Sequence, residues 1–278
     1  MPVIALTQEM GSLAKDVSLR LAETLGLAVM RHETIERVAD RMQVPTSFIG
    51  RLRDGKAGFV ERFTADRRSL ALYTAEELFA LADRGNVVLR GWGATCLLRP
   101  VPHVMCVRIT RSMKKRVEWL MAHLETDDAE FAEAEIRRSD DAHAARMHAQ
   151  FGVTWGDPVL YDLVLNTDRL SVDSCVAQIR ALVERPEFAE TPASRALLAN
   201  MALAARVKSA LKDNEATGDI RVTVEADQGK VKLSGIVLDA QERALTQEVA
   251  SKVDGVSGVD NALRLMTVPR RFASAKQT

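Results

Sequence analysis

Cysteine is scarce. The 278 residues hold three, Cys96, Cys106 and Cys175, each inside an apolar run and no two at metal-ligand spacing. That rules out a disulfide framework or a thiolate metal centre and predicts a reduced, cytoplasmic protein. Net charge is absent too: 38 Lys and Arg balance 38 Asp and Glu. A nucleic-acid binder would show a basic excess, so none is expected as a partner, although a local basic pocket for phosphates stays open. No apolar stretch approaches the roughly 20 residues that span a bilayer, and none is expected to cross one. The apolar opening, Met1 to Leu6, has no basic segment and no cleavage site, and reads as a first strand. His32 and His143 have no acidic or cysteine partner at ligand spacing, and no Ser-His-Asp or Cys-His arrangement is legible. The phosphate-loop motif G-x-x-x-x-G-K-[ST] is missing as well.

What is present is an ordinary globular composition, 47% hydrophobic and 27% charged, in a chain long enough for two domains. Pro2-Val3-Ile4-Ala5-Leu6 reads as a buried strand and runs through a polar turn into a helix with Val17, Leu21 and Leu25 at helical spacing and Gly26 as its stop. Residues 86–90, 103–109 and 161–166 are short apolar runs suited to parallel strands covered on both faces. Strands alternating with helices predict an α/β domain, a parallel sheet flanked by helices, over residues 1–185. Residues 111–150 read as charged helix, either a solvated face or a lid over a ligand. A helix over 171–183 closes the domain.

Two prolines among charges, Pro186 and Pro192, mark a linker over 186–200. Beyond it come a helix over 197–211, an alternating strand over 220–224, the turn Asp227-Gln228-Gly229, a second alternating strand over 230–237, a helix from about 240 to 253 and a strand over 256–265. This predicts a second, smaller α+β domain of α-β-β-α-β order over 201–268. A polar, disordered tail is expected over 269–278.

A strand, a glycine-bearing turn and a helix form the architecture that cradles phosphate through backbone N–H groups. Here the turn is Gly11-Ser12-Leu13-Ala14-Lys15-Asp16. The stretch Thr7-Gln8-Glu9-Met10-Gly11-Ser12, continued by Lys15-Asp16-Val17 and Arg20-Leu21-Ala22-Glu23-Thr24-Leu25-Gly26, resembles the opening of the cytidylate-kinase-like family. So do Val87-Val88-Leu89-Arg90-Gly91-Trp92-Gly93-Ala94 and Phe151-Gly152-Val153-Thr154-Trp155-Gly156-Asp157-Pro158, with Tyr161-Asp162-Leu163-Val164-Leu165-Asn166-Thr167 and Leu170-Ser171-Val172 behind it. The resemblance spans about residues 1–185. It implies a nucleoside-monophosphate-kinase fold with a P-loop, a monophosphate segment and an arginine-bearing lid, using ATP and magnesium if active.

Carried over residue by residue, the resemblance implies nucleotide binding by Gly11, Ser12, Lys15, Asp16, Asn166 and Thr167. Asp16 falls at the magnesium position, and Lys15, Arg137, Arg138 and Arg146 are the candidate catalytic cations. The chain departs from the family pattern at several points. Leu13 and Ala14 stand where the family has glycines, and Ala14 also falls at the P-loop lysine. Trp92 replaces an arginine, His143 stands where Asp-x-x-Arg expects one, and Arg31 replaces the aspartate before Glu33. The plain alternative makes Lys15, Arg137, Arg138 and Arg146 surface charges, Trp155 a packing residue and Asp162 the anchor of a strand end.

The second unit resembles a BON domain over residues 201–267, on Val224, Gly229, Val231, Leu233, Gly235, Val237, Glu242-Arg243, Ala250, Val253-Asp254-Gly255-Val256 and Val259-Asp260-Asn261. That likeness implies a module for a protein partner or a lipid. Three functions follow from the two resemblances. One is a nucleotide-binding protein with a degenerate P-loop and weak or absent phosphoryl transfer. Another is an active kinase for a nucleoside monophosphate or other small substrate. The last is a non-enzymatic scaffold acting through its BON domain.

Overall fold

The computed structural model describes residues 1–29, 32–53, 66–91 and 93–266, in two compact units that divide between Leu198 and Ala199. Arg31, Trp92 and the expected tail at 269–278 lie outside the described residues.

The first unit is a parallel sheet of β1 (Val3–Gln8), β2 (Ala28–Val29), β3 (Val87–Arg90), β4 (Val104–Thr110) and β5 (Leu163–Asn166), in the spatial order β2-β3-β1-β4-β5. The apolar runs of β1, β3 and β4 are buried because helices cover the sheet. α1 (Ala14–Leu25) and α8 (Val172–Val183) pack on it. Val17 and Leu21 from one helix and Cys175, Val176 and Ile179 from the other meet Ile4, Leu6, Met105, Val107 and Ile109.

Between β2 and β3 lie α2 (His32–Arg41), α3 (Thr46–Arg53) and α4 (Arg67–Arg84), and a short α5 (Ala94–Leu97) follows β3. β5 corrects one expectation. It is the last strand of the sheet, Leu165 alone of its residues is buried, and Val164 is 41% exposed. A strand paired on one side only has no neighbour to cover its outer edge.

The charged stretch after β4 forms two helices, α6 (Met113–Leu124) and α7 (Ala129–Phe151). Glu125 ends the first in a left-handed conformation, φ 52°, and the Asp128 carboxylate caps the second by accepting from the Phe131 N–H. Ala132, Ile136 and Met147 make a buried face on α7, so only its other faces are solvated. Among the described residues no helix is long and apolar enough to cross a membrane.

α9 (Pro192–Asp213) takes in part of the expected linker, starting at Pro192 rather than 197. The second unit adds β6 (Val222–Asp227), β7 (Lys230–Val237), α10 (Ala240–Ser251) and β8 (Gly258–Leu265). β7 is central, antiparallel to β6 and parallel to β8. Gln228 and Gly229, at φ 48° and 84°, make the two-residue turn that matches the twist of a hairpin. The alternation in β6 and β7 places Val224, Val231, Leu233 and Val237 against Leu203, Val207 and Leu211 of α9. At Gly235, φ +150°, a Cβ would come within 2.7 Å of the Arg221 carbonyl oxygen, so this strand position admits glycine alone.

Candidate functional site

β2 and β3 lie to one side of β1, and β4 and β5 to the other. Sheets of this kind offer a crevice at the carboxyl ends of the strands where the order reverses. The turn from β1 into α1 sits there. Gly11 has φ +77°, and a Cβ on it would meet the Arg116 backbone and the Trp119 ring at 3.2 Å. Leu13, the residue that opens α1, is itself left-handed at φ 61° and makes no side-chain cap. A leucine in that conformation costs roughly 1–2 kcal/mol relative to the right-handed form. The N–H groups of Leu13, Ala14, Lys15 and Asp16 find no partner among the described residues. A helix start with orphan donors and a positive dipole end attracts anions.

Beneath the turn lies a buried polar network. Glu9 accepts from Arg108 Nη2 and from Thr110 Oγ1, both at 2.6 Å, and from the Arg111 N–H at 3.2 Å. Arg116 Nη1 is 3.7 Å from the same carboxylate. Arg116 also donates to the Met10 carbonyl at 2.6 Å and makes a two-pronged bond to Asp140 at 2.8 and 2.7 Å, tying α6 and α7 to the first turn. The Thr167 hydroxyl donates to the Ser12 carbonyl at 2.9 Å, bracing the turn from the end of β5.

Arg108 lies over the Trp155 ring at 4.3 Å and donates to the Trp155 carbonyl, which also accepts from the Tyr161 hydroxyl. Trp155 Nε1 donates to Thr7. His143 packs against Trp155 with ring centroids 4.3 Å apart. Its burial, and then the charges of Arg146 and Arg108, depress its pKa to about 3. It is therefore a neutral imidazole at every ordinary pH. The thiols are equally inert: burial pushes Cys96, Cys106 and Cys175 up, Cys106 to about 12, away from the thiolate needed in a nucleophile.

A model of the cytidylate kinase-like family matches residues 3–169, more than half of the sequence. The chain belongs to the cytidylate kinase-like family. A BON domain model matches residues 201–267. No curated protein matches the chain. Among solved structures, an uncharacterized protein from Eubacterium ventriosum is similar at 18% identity and a TM-score of 0.53, over 66% of this chain and 100% of that one. A shikimate kinase from Bacteroides thetaiotaomicron is 17% identical over 66% of this chain and 99% of its own, with a TM-score of 0.42. At such identities the likeness concerns the fold alone.

In this cytidylate kinase-like unit Gly11, Ser12, Lys15, Asp16 and Thr167 come together at the first turn. Ala14 is buried, while Lys15 and Asp16 are exposed on the first turn of α1. Asn166 ends β5 and accepts from the Asp168 N–H. Arg137 and Arg138 are not brought to the turn by any bond. They pair with Glu133 and Glu135 of their own helix. Arg146 bonds His143 Nδ1 at 2.9 Å. Asp162 anchors a strand end, accepting from the Cys106 N–H at 2.7 Å.

Glu9, Arg108, Arg116 and Asp140 were not singled out from the sequence. The available signal was Arg108 itself, a charge inside the apolar run 103–109. Among the described residues no group of three or more His, Cys, Asp or Glu is placed to hold a metal ion.

Proposed function

We propose that the cytidylate kinase-like unit binds a nucleotide or another phosphate-bearing small molecule at the first turn, with weak or absent phosphoryl transfer, while the BON unit recruits a protein or lipid partner. The observation that carries this reading is the first turn itself. It keeps left-handed Leu13 and the unpartnered N–H groups of Leu13 to Asp16 at the helix start, although Ala14 has removed the lysine. Such backbone donors hold a phosphate without side-chain help.

The residues fit a phosphate group better than the full transfer machinery. Asp16 offers one carboxylate oxygen site to a magnesium ion, which would neutralise phosphate charge if carried in with ATP. The P-loop cation is replaced by buried Ala14, and the lid position by a histidine that carries no charge. Phosphoryl transfer depends on positioned positive charge, and a lost stabilising contact typically costs on the order of 10²–10³ in rate.

Calorimetry of the full chain with ATP and with cytidylate tests the reading. Binding of either at millimolar concentration or better, weakened in Lys15→Glu, supports it, and no binding of either ends it. Turnover of ATP with a nucleoside monophosphate near 10 per second, about the enzyme median, would favour the active-kinase alternative instead.

A further inference from the structure

We infer that Arg111, at the end of β4, is the cation that holds the phosphate group at the first turn, in the place left by the missing lysine. The inference rests on the phosphate-binding reading and names a residue that neither the motif nor the family pattern assigns to it. Arg111 is fixed at the base of the turn by its own N–H, which donates to Glu9 Oε2 at 3.2 Å. Its side chain then runs along the turn, with Nη1 3.4 Å from the Gly11 carbonyl, at the outer limit of a hydrogen bond.

Its Nε is buried and has no partner. Buried guanidinium donors are nearly always satisfied, and an orphan is costly. The Ser12 hydroxyl, in the same turn and on a residue only 1% exposed, is also buried without a partner. One orphaned side-chain donor and a row of orphaned backbone N–H groups therefore belong to the turn, and a second orphaned donor stands on Arg111, whose side chain reaches it. A phosphate is the ligand chemistry that suits such a set of donors, since its ionised oxygens accept hydrogen bonds and match the planar fork of an arginine.

The other cations near the turn are committed. Arg108 is held by Glu9, and Arg116 by Asp140 and Glu9. Arg111 makes no ion pair within 4 Å among the described residues. The carboxylate it influences, Asp168, is held by the Ser112 N–H and hydroxyl. Lys15 is the competing cation, but it stands exposed on the flank of α1.

The test is calorimetry of the full chain with ATP and with inorganic pyrophosphate, for the parent, Arg111→Gln, Arg111→Lys, Lys15→Gln and Arg180→Gln. The last removes an exposed arginine paired with Glu184. Thermal midpoints of the unliganded proteins report folding. Arg111→Gln should weaken both ligands roughly tenfold to a hundredfold and flatten the salt dependence of binding. Arg111→Lys should recover part of the loss, and Arg180→Gln should match the parent. A merely structural role would lower the thermal midpoint equally in both Arg111 variants, with no recovery in the lysine variant, and would overturn the inference. Parent-like binding by Arg111→Gln together with a loss in Lys15→Gln overturns it too, leaving the phosphate-binding reading intact. If the parent binds neither ligand, that reading fails and the inference with it.

Discussion

Glu9 pairs with Arg108 and lies 3.7 Å from Arg116, which Asp140 also holds; the two arginine side chains are 7% and 5% exposed. Removing one partner of a buried pair strands the other charge, which typically costs about 3–5 kcal/mol. Glu9→Gln keeps the shape and removes the charge. Urea unfolding should show a stability loss of about 3 kcal/mol from the stranded Arg108, and a loss under about 1 kcal/mol would mean that water already solvates that arginine. This network was the least legible part of the site. A lone arginine in a sequence reads as a surface charge, and what buries Arg116 is Glu9 and Asp140, carried on other elements of the fold.

The histidines set a pH dependence of definite sign. Burial lowers the pKa of both His143, to about 3, and His103, which sits against Ser194 at 2.7 Å. Each holds a proton less readily when folded, so protons are taken up on unfolding below the ordinary pKa of about 6.5. Their contribution is therefore fully present above about pH 6.5 and is lost progressively as pH falls towards the folded values. The urea midpoint should drop between pH 7.5 and 5, and His143→Gln should drop less steeply than the parent. Equal slopes would take the acid sensitivity away from His143.

At the scale of the element, α1 begins with a residue that suits neither of its tasks. Leu13 cannot cap the helix, and it occupies a conformation that glycine adopts freely. Leu13→Gly should leave stability within about 1 kcal/mol of the parent, since relieved backbone strain offsets lost side-chain burial and the greater freedom of the unfolded chain. If the turn binds phosphate, affinity for ATP should rise several-fold as the crowding beside the N–H groups is relieved. A fall in affinity would show instead that the leucine contacts the ligand. Legibility followed the same division among the elements. β1, β3 and β4 were plain as continuous apolar runs, and β6 and β7 as alternating strands around Asp227-Gln228-Gly229. β5 has the same kind of run as β4, and only its place at the edge of the sheet leaves it exposed.

For the whole molecule, two compact units and two family models argue for independent folding. Residues 184–187 form an exposed run ahead of α9, whereas Ser194 and Leu198 are buried. Limited proteolysis should cut first within 184–190 and leave two folded fragments, identified by mass spectrometry and circular dichroism. One resistant core spanning this region would refute independence.

The strand order also has a consequence in time. β1 is made first yet lies between β3 and β4, so Val3 must wait for Val87 and Val104 before either side of it can pair. Pairings so distant along the chain are slow to form, and until then an apolar strand stands uncovered. β6 and β7 meet across a two-residue turn within microseconds of leaving the ribosome. The interval before β4 emerges is therefore when the nascent first unit most needs a chaperone, whereas the hairpin of the second unit has no such wait.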